Sequence, residues 1–113
     1  MHWSHRSGFD AEKLVRSDWM DRGATVVAER LRTPFAEIDL LFRWKGQLWL
    51  IEVKTLSRVE FLSVRMSRRQ KVRLCQAREW IQEHFRMETA LIFAVVQGNG
   101  KILLFNLSEE DLR

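Results

Sequence analysis

The segment Glu37-Ile38-Asp39-Leu40-Leu41-Phe42-Arg43-Trp44-Lys45-Gly46-Gln47-Leu48-Trp49-Leu50-Ile51-Glu52-Val53-Lys54 leaves few choices of structure. Branched and aromatic apolar residues fill both flanks of Lys45-Gly46, and glycine suits a tight turn, so the segment reads as a β-hairpin. With Trp44 facing Gln47, the numbers of paired residues sum to 91. Phe42 then meets Trp49, Leu41 meets Leu50, Leu40 meets Ile51 and Ile38 meets Val53. A slip of one residue would set charges against Ile51 and Val53, so the register is strongly specified.

The same register sets Asp39 opposite Glu52 and Glu37 opposite Lys54. Facing side chains on paired strands have Cβ atoms about 5 Å apart. At an effective dielectric near 20, two carboxylates so close repel by about 3 kcal/mol. Either one of them holds a proton or a cation lies between them. Lys54 shares the face of Glu52 by the two-residue period of a strand. Two acids and a lysine around one point suit metal-assisted attack on a phosphodiester, in which an ion polarises phosphate and water and the ammonium stabilises developing charge. The plain alternative is a ladder of solvated charges, with Glu37 paired to Lys54.

The remaining chain supplies candidate partners for that point. Phe9 to Arg22 has the periodicity of an amphipathic helix stopped by Gly23. Its inward line runs through Gly8, Val15 and Trp19, and Glu12 falls on it. An acid on an apolar stripe needs a partner, which is either a salt bridge at the rim or a metal ion. Ala24 to Arg32 reads as a strand ended by Thr33-Pro34. Thr55 to Met66 shows no period and reads as a loop.

Ser67 suits the N-cap of a long helix ending near Arg86. Its buried line is Leu74, Ala77, Ile81 and Phe85, with Trp80 on the flank. One turn back the line reaches Gln70. Arg65, Arg68, Arg69, Lys71 and Arg73 crowd the same helix start, with no acid between Arg65 and Arg78. This is a phosphate-binding arrangement, or else a solvated basic face. Ala90 to Val96 is an unbroken apolar run, as in a strand buried on both faces. Gln97-Gly98-Asn99-Gly100 turns the chain into a last strand, Lys101 to Leu107, and Ser108-Glu109-Glu110-Asp111 resembles the start of a short helix. The order is αβββαββ, a mixed sheet flanked by helices, hence α/β or α+β, in one domain over residues 1–113.

Composition narrows the setting. The chain has a net charge of +4, compatible with a polyanionic partner. Its single cysteine, Cys75, cannot form an internal disulfide, which favours a reducing compartment. No apolar run reaches membrane-spanning length and the first residues lack a signal-peptide core, so a cytoplasmic protein is expected, with no membrane partner. His2, His5 and His84 lack metal-ligand spacing. Trp19, Trp49 and Trp80 lie on apolar faces, whereas Trp44, beside the turn, is the tryptophan best placed for exposure.

Asp39 followed by Glu52-Val53-Lys54 resembles the D…(D/E)xK signature of the PD-(D/E)XK nuclease superfamily, the restriction-endonuclease-like fold. More narrowly, the chain resembles the YraN-like family of predicted endonucleases, related to Holliday-junction resolvases. The first-helix pattern matches Glu12, Val15, Trp19 and Gly23. The family's Gly-Glu-Ile-Asp-Leu box matches Ala36-Glu37-Ile38-Asp39-Leu40, with Ala36 replacing the glycine. Its Glu-Val-Lys box matches Glu52-Val53-Lys54, and its Lys-Gln helix start, with a later alanine and aromatic, matches Arg69-Gln70, Ala77 and Trp80. Where the family has Arg-Phe-Asp near the fourth strand, this chain has Ile92-Phe93-Ala94, and the loop between Lys54 and Arg69 is short.

The resemblance implies a homodimeric DNA endonuclease using Mg²⁺ or Mn²⁺, acting on branched or structured DNA. Asp39, Glu52 and the Val53 carbonyl would hold the ion, with Glu12 as a further or outer ligand. Lys54 would position the attacking water and Gln70 would orient phosphate or water. Arg65, Arg68, Arg69, Lys71 and Arg73 would hold the DNA backbone. The competing expectations are a DNA-binding accessory protein that keeps this fold without turnover, and a structural or protein-interaction domain.

Overall fold

The computed structural model describes residues 3–56 and 67–107, with side chains for 11–55 and 67–107. The order is α1 (Trp3–Asp21), β1 (Thr25–Arg32), β2 (Glu37–Trp44), β3 (Gln47–Leu56), α2 (Arg68–Phe85), β4 (Thr89–Gln97) and β5 (Ile102–Asn106). The five strands form one mixed sheet in the order β1-β2-β3-β4-β5. Only β3 and β4 run parallel, joined by the α2 crossover; every other neighbour is antiparallel. The expected mixed α+β order is therefore the observed one.

Each helix covers one face of the sheet, as the alternation of side chains requires. Leu41, Leu48, Leu50, Leu91, Phe93 and Val95 pack with Leu74, Cys75, Ala77 and Ile81 of α2. Leu40, Phe42, Ile51, Ile92, Ala94 and Val96 pack with Ala11, Val15 and Trp19 of α1. β4 is buried from Leu91 to Val96 because helices cover both its faces, as its unbroken apolar run predicts.

The Lys45-Gly46 turn has positive φ at both residues, 51° and 78°, the backbone of a two-residue hairpin whose twist matches its strands. β2 and β3 pair from Trp44–Gln47 to Leu40–Ile51 in the expected register. α1 ends in a Schellman motif. The Gly23 N–H donates to Met20 O, the Ala24 N–H to Trp19 O, and Gly23 has φ +100°. Trp19 stacks on Phe42 with ring centroids 5.4 Å apart and meets Trp44 edge-on, which fixes α1 against the hairpin.

Some boundaries and faces differ from the expectations. α1 begins at Trp3 rather than Phe9. Phe85 is 39% exposed: it is the last residue of α2, where the helix runs past the sheet's apolar cover, and Cys75 takes a place in the core instead. Trp44, the tryptophan best placed for exposure, is half-buried in the hairpin packing: it meets Trp19 and Trp49 and donates its indole N–H to Arg22 O. The loop expected beyond Leu56 and the terminal helix at Ser108 lie outside the described residues. Among those described, no helix is long and apolar enough to cross a membrane.

Candidate functional site

The hairpin ladder stops one rung short of the two acids. Closing pairs of a two-residue hairpin exchange both backbone hydrogen bonds, and this property recurs at every second rung. Val53 is thus the next β3 residue whose N–H and C=O face β2. Its N–H donates to Asp39 Oδ2 at 2.8 Å, so a carboxylate oxygen replaces a ladder carbonyl. The expected Ile38–Val53 pair is absent from the ladder for that reason.

Asp39 turns toward β3 because β1 and β2 both change face at its position. Leu40 packs on the α1 side and Ile38 on the α2 side, although they are two residues apart. On β1 the pairs Glu29–Leu40 and Leu31–Ile38 bracket Arg30, which lies opposite Asp39. Arg30 has φ 52°, a left-handed backbone inside a strand. Nothing in the run Ala28-Glu29-Arg30-Leu31 signals this irregularity.

Glu52 is 8% exposed, a buried acid at the end of the apolar part of β3. Its carboxyl is hydrogen-bonded to that of Asp39, and its pKa is pushed up to about 8. Burial is the largest cause, followed by the charge of Asp39 and the hydrogen bond between them; Lys54 pulls the other way. Burial and the charge of Asp39 thus both oppose ionisation of Glu52, the conflict expected for facing acids. Lys54 Nζ lies 3.7 Å from Glu52 Oε2, and Gln70 Nε2 approaches the same oxygen at 3.4 Å. The expected Glu37–Lys54 pairing does not form. Glu37 instead lies 3.7 Å from the Arg32 guanidinium, on the solvent-facing edge.

Gln70 arrives at this point because α2 starts beside it. Ser67 Oγ accepts the Gln70 N–H at 3.1 Å and caps the helix, as expected. Around Gln70, Arg68, Arg69 and Arg73 are exposed and Lys71 is half-buried. A basic rim with a helix N-terminus thus adjoins the acids. Arg65 lies outside the described residues.

Glu12, half-buried on α1, faces the same point from the other layer. Its pKa is raised by burial first and by the charge of Asp39 second, while Arg30, 3.8 Å away, lowers it. Of the two expectations for Glu12, the salt bridge at the rim is the one observed, with Arg30 as its partner. Among the described residues no three His, Cys, Asp or Glu side chains converge as one cluster. The close pair is Asp39 and Glu52, with Glu12 standing off.

This donor set fits a hard divalent cation. Mg²⁺ takes oxygen ligands and is commonly held by one or two carboxylates, with waters and substrate phosphate completing its shell. An ion near Asp39 and Glu52 would offset the burial and the neighbouring charge that oppose ionisation of Glu52. The Val53 carbonyl, on the same strand edge as its N–H, lies on the correct side of β3 to contribute.

Known proteins bear on these residues. A protein from Rhodopseudomonas palustris (strain BisB18), described as a UPF0102 protein, is 32% identical over 80 residues, covering 70% of this chain and 59% of that one. One from Nitrobacter winogradskyi is 30% identical over 84 residues, covering 74% and 71%. One from Cereibacter sphaeroides is 37% identical over 103 residues, covering 88% of each. The chain spans about six-tenths of the length of the Rhodopseudomonas relatives from strains BisB18 and BisA53. The model of the family described as "Uncharacterised protein family UPF0102" matches residues 11–97, a span that runs from α1 through the Asp39–Glu52 pair and Gln70 to the end of β4. With this match over most of its length, the chain belongs to the UPF0102 family, the YraN-like family.

Proposed function

We propose that this protein is a divalent-metal-dependent DNA endonuclease of the restriction-endonuclease-like type. The observation that supports the reading best is the buried Glu52 carboxyl, hydrogen-bonded to Asp39 and approached by Lys54 and Gln70, beside a basic helix start. A purely structural domain gains nothing from a protonated acid at the rim of its core, because an apolar residue there would spare the desolvation cost.

In this reading Asp39, Glu52 and the Val53 carbonyl would hold Mg²⁺ or Mn²⁺, which would supply charge compensation and polarise phosphate and water. Lys54 Nζ, already at Glu52 Oε2, hydrogen-bonds the attacking water and steadies the charge that develops on phosphate. Gln70 orients the phosphate or that water from the head of α2. Glu12 approaches from α1 as an outer ligand. Arg69, Lys71 and Arg73, with Arg68, hold successive phosphates without reading sequence.

The test is cleavage of duplex, nicked and four-way-junction DNA with Mg²⁺ or Mn²⁺ against an EDTA control. Asp39→Asn keeps an oxygen acceptor for the Val53 N–H and should lose cleavage while retaining salt-dependent DNA binding. Undiminished cleavage by that variant refutes the assignment. Salt-dependent binding with no cleavage by the unaltered protein on any substrate replaces it with the accessory-protein reading.

A further inference from the structure

Among the described residues, three besides glycine have positive φ: Arg30, Lys45 and Arg86. Lys45 sits in the hairpin turn and Arg86 caps α2 in the left-handed conformation, positions that call for such a backbone. Arg30 has no such excuse. It lies inside β1, where Asn or Gly would adopt this conformation with less strain, and arginine does so at a cost. Its register position is opposite Asp39. Its side chain is 59% exposed, and its guanidinium reaches Glu12 Oε1 at 3.8 Å.

We propose that Arg30 is a built-in, exchangeable counter-cation: it neutralises Glu12 while the site holds no ion and yields that carboxylate when a divalent cation binds at Asp39 and Glu52. Three observations support this. Glu12 is a half-buried acid on α1 whose ion-pair partner is the Arg30 guanidinium. The pair with Arg30 is long and solvent-facing, hence weak and easily exchanged. The face change shared by β1 and β2 turns Asp39 toward Val53 at the same rung that places Arg30 within reach of Glu12. Arg30 is thus a positioning residue, acting through Glu12. The inference rests on the metal-site reading and adds a competitor to it.

The experiment measures Mn²⁺ affinity of the full chain by calorimetry, with the unfolding midpoint recorded for each form. Arg30→Asn removes the cation and suits the left-handed backbone, so it should fold at least as stably as the unaltered protein and bind Mn²⁺ roughly fivefold more tightly. Arg30→Lys keeps the charge and should bind Mn²⁺ like the unaltered protein. In a Glu12→Gln background, Arg30→Asn should change Mn²⁺ affinity little, because the contested carboxylate is gone. Unchanged or weakened affinity in Arg30→Asn overturns the proposal, and so does equal tightening in the Glu12→Gln background. Failure of the unaltered protein to bind Mn²⁺ removes the metal-site reading and this inference together. Failure confined to the Arg30 variants leaves the metal site standing.

Discussion

Replacing Glu52 with Gln should stabilise the metal-free protein, and increasingly so as pH rises. Gln is close in shape to the protonated acid, with one oxygen to accept from Gln70 and an amide to donate to Asp39. In the folded chain the Glu52 carboxyl keeps its proton up to a pH of about 8, against an ordinary value of 4.5. Between those values the folded state binds more protons than the unfolded state, so the Glu52 contribution to stability falls as pH rises. Each pH unit inside that window is worth about 1.4 kcal/mol. From pH 5 to pH 7 the unaltered protein should therefore lose about 2–3 kcal/mol relative to Glu52→Gln, with other titrating groups cancelling in the comparison. The same factor operates up to about pH 8 and levels off above it. The assay is urea unfolding in EDTA at pH 5, 7 and 8, followed by tryptophan fluorescence, to which Trp19 at the α1–hairpin contact should contribute. Adding Mg²⁺ at pH 8 should then stabilise the unaltered protein more than the variant, since an ion needs the ionised carboxylate. A stability gap that stays constant between pH 5 and 7 would refute the buried, shared-proton account of Glu52.

Two further predictions concern α2. Neutralising Arg69, Lys71 and Arg73 together should weaken binding to any DNA sequence and lower the slope of log affinity against log salt by about 2 to 3, since each lost phosphate contact removes about 0.9; a filter-binding salt series reads this, and an unchanged slope removes these residues from the interface. Ser67→Ala should cost about 1 kcal/mol in unfolding free energy, because the Gln70 N–H loses its cap. The same substitution should loosen Gln70 from Glu52 and reduce cleavage more than that stability loss explains, measured well below the unfolding midpoint.

Much of the molecule was legible in local pattern. The hairpin register followed from apolar pairs and one turn, because a one-residue slip inverts every side chain between core and solvent. The Ser67 cap, the Gly23 stop and the doubly buried β4 followed from equally local chemistry. The pairing of Glu37 with Lys54 failed because it extended the ladder past the rung where Asp39 takes the Val53 N–H. The buried line of α2 overreached at Phe85 because periodicity marks a face and not how far the sheet extends beneath it.

The sequence by itself determined that two acids and a lysine would be carried toward one end of the hairpin strands and that Gln70 lies on the inward line of α2, since strand alternation and helix periodicity depend on near neighbours alone. Only the tertiary structure decided that burial and Asp39 together oppose ionisation of Glu52, that Gln70 meets it from α2, and that Glu12 is held by an arginine in a left-handed backbone. Those features depend on burial and on contacts between residues 13 and 18 positions apart, such as Asp39 with Glu52 and Gln70 with Glu52. Desolvation and Coulomb energy are set by such distances in space, on which residue order is silent.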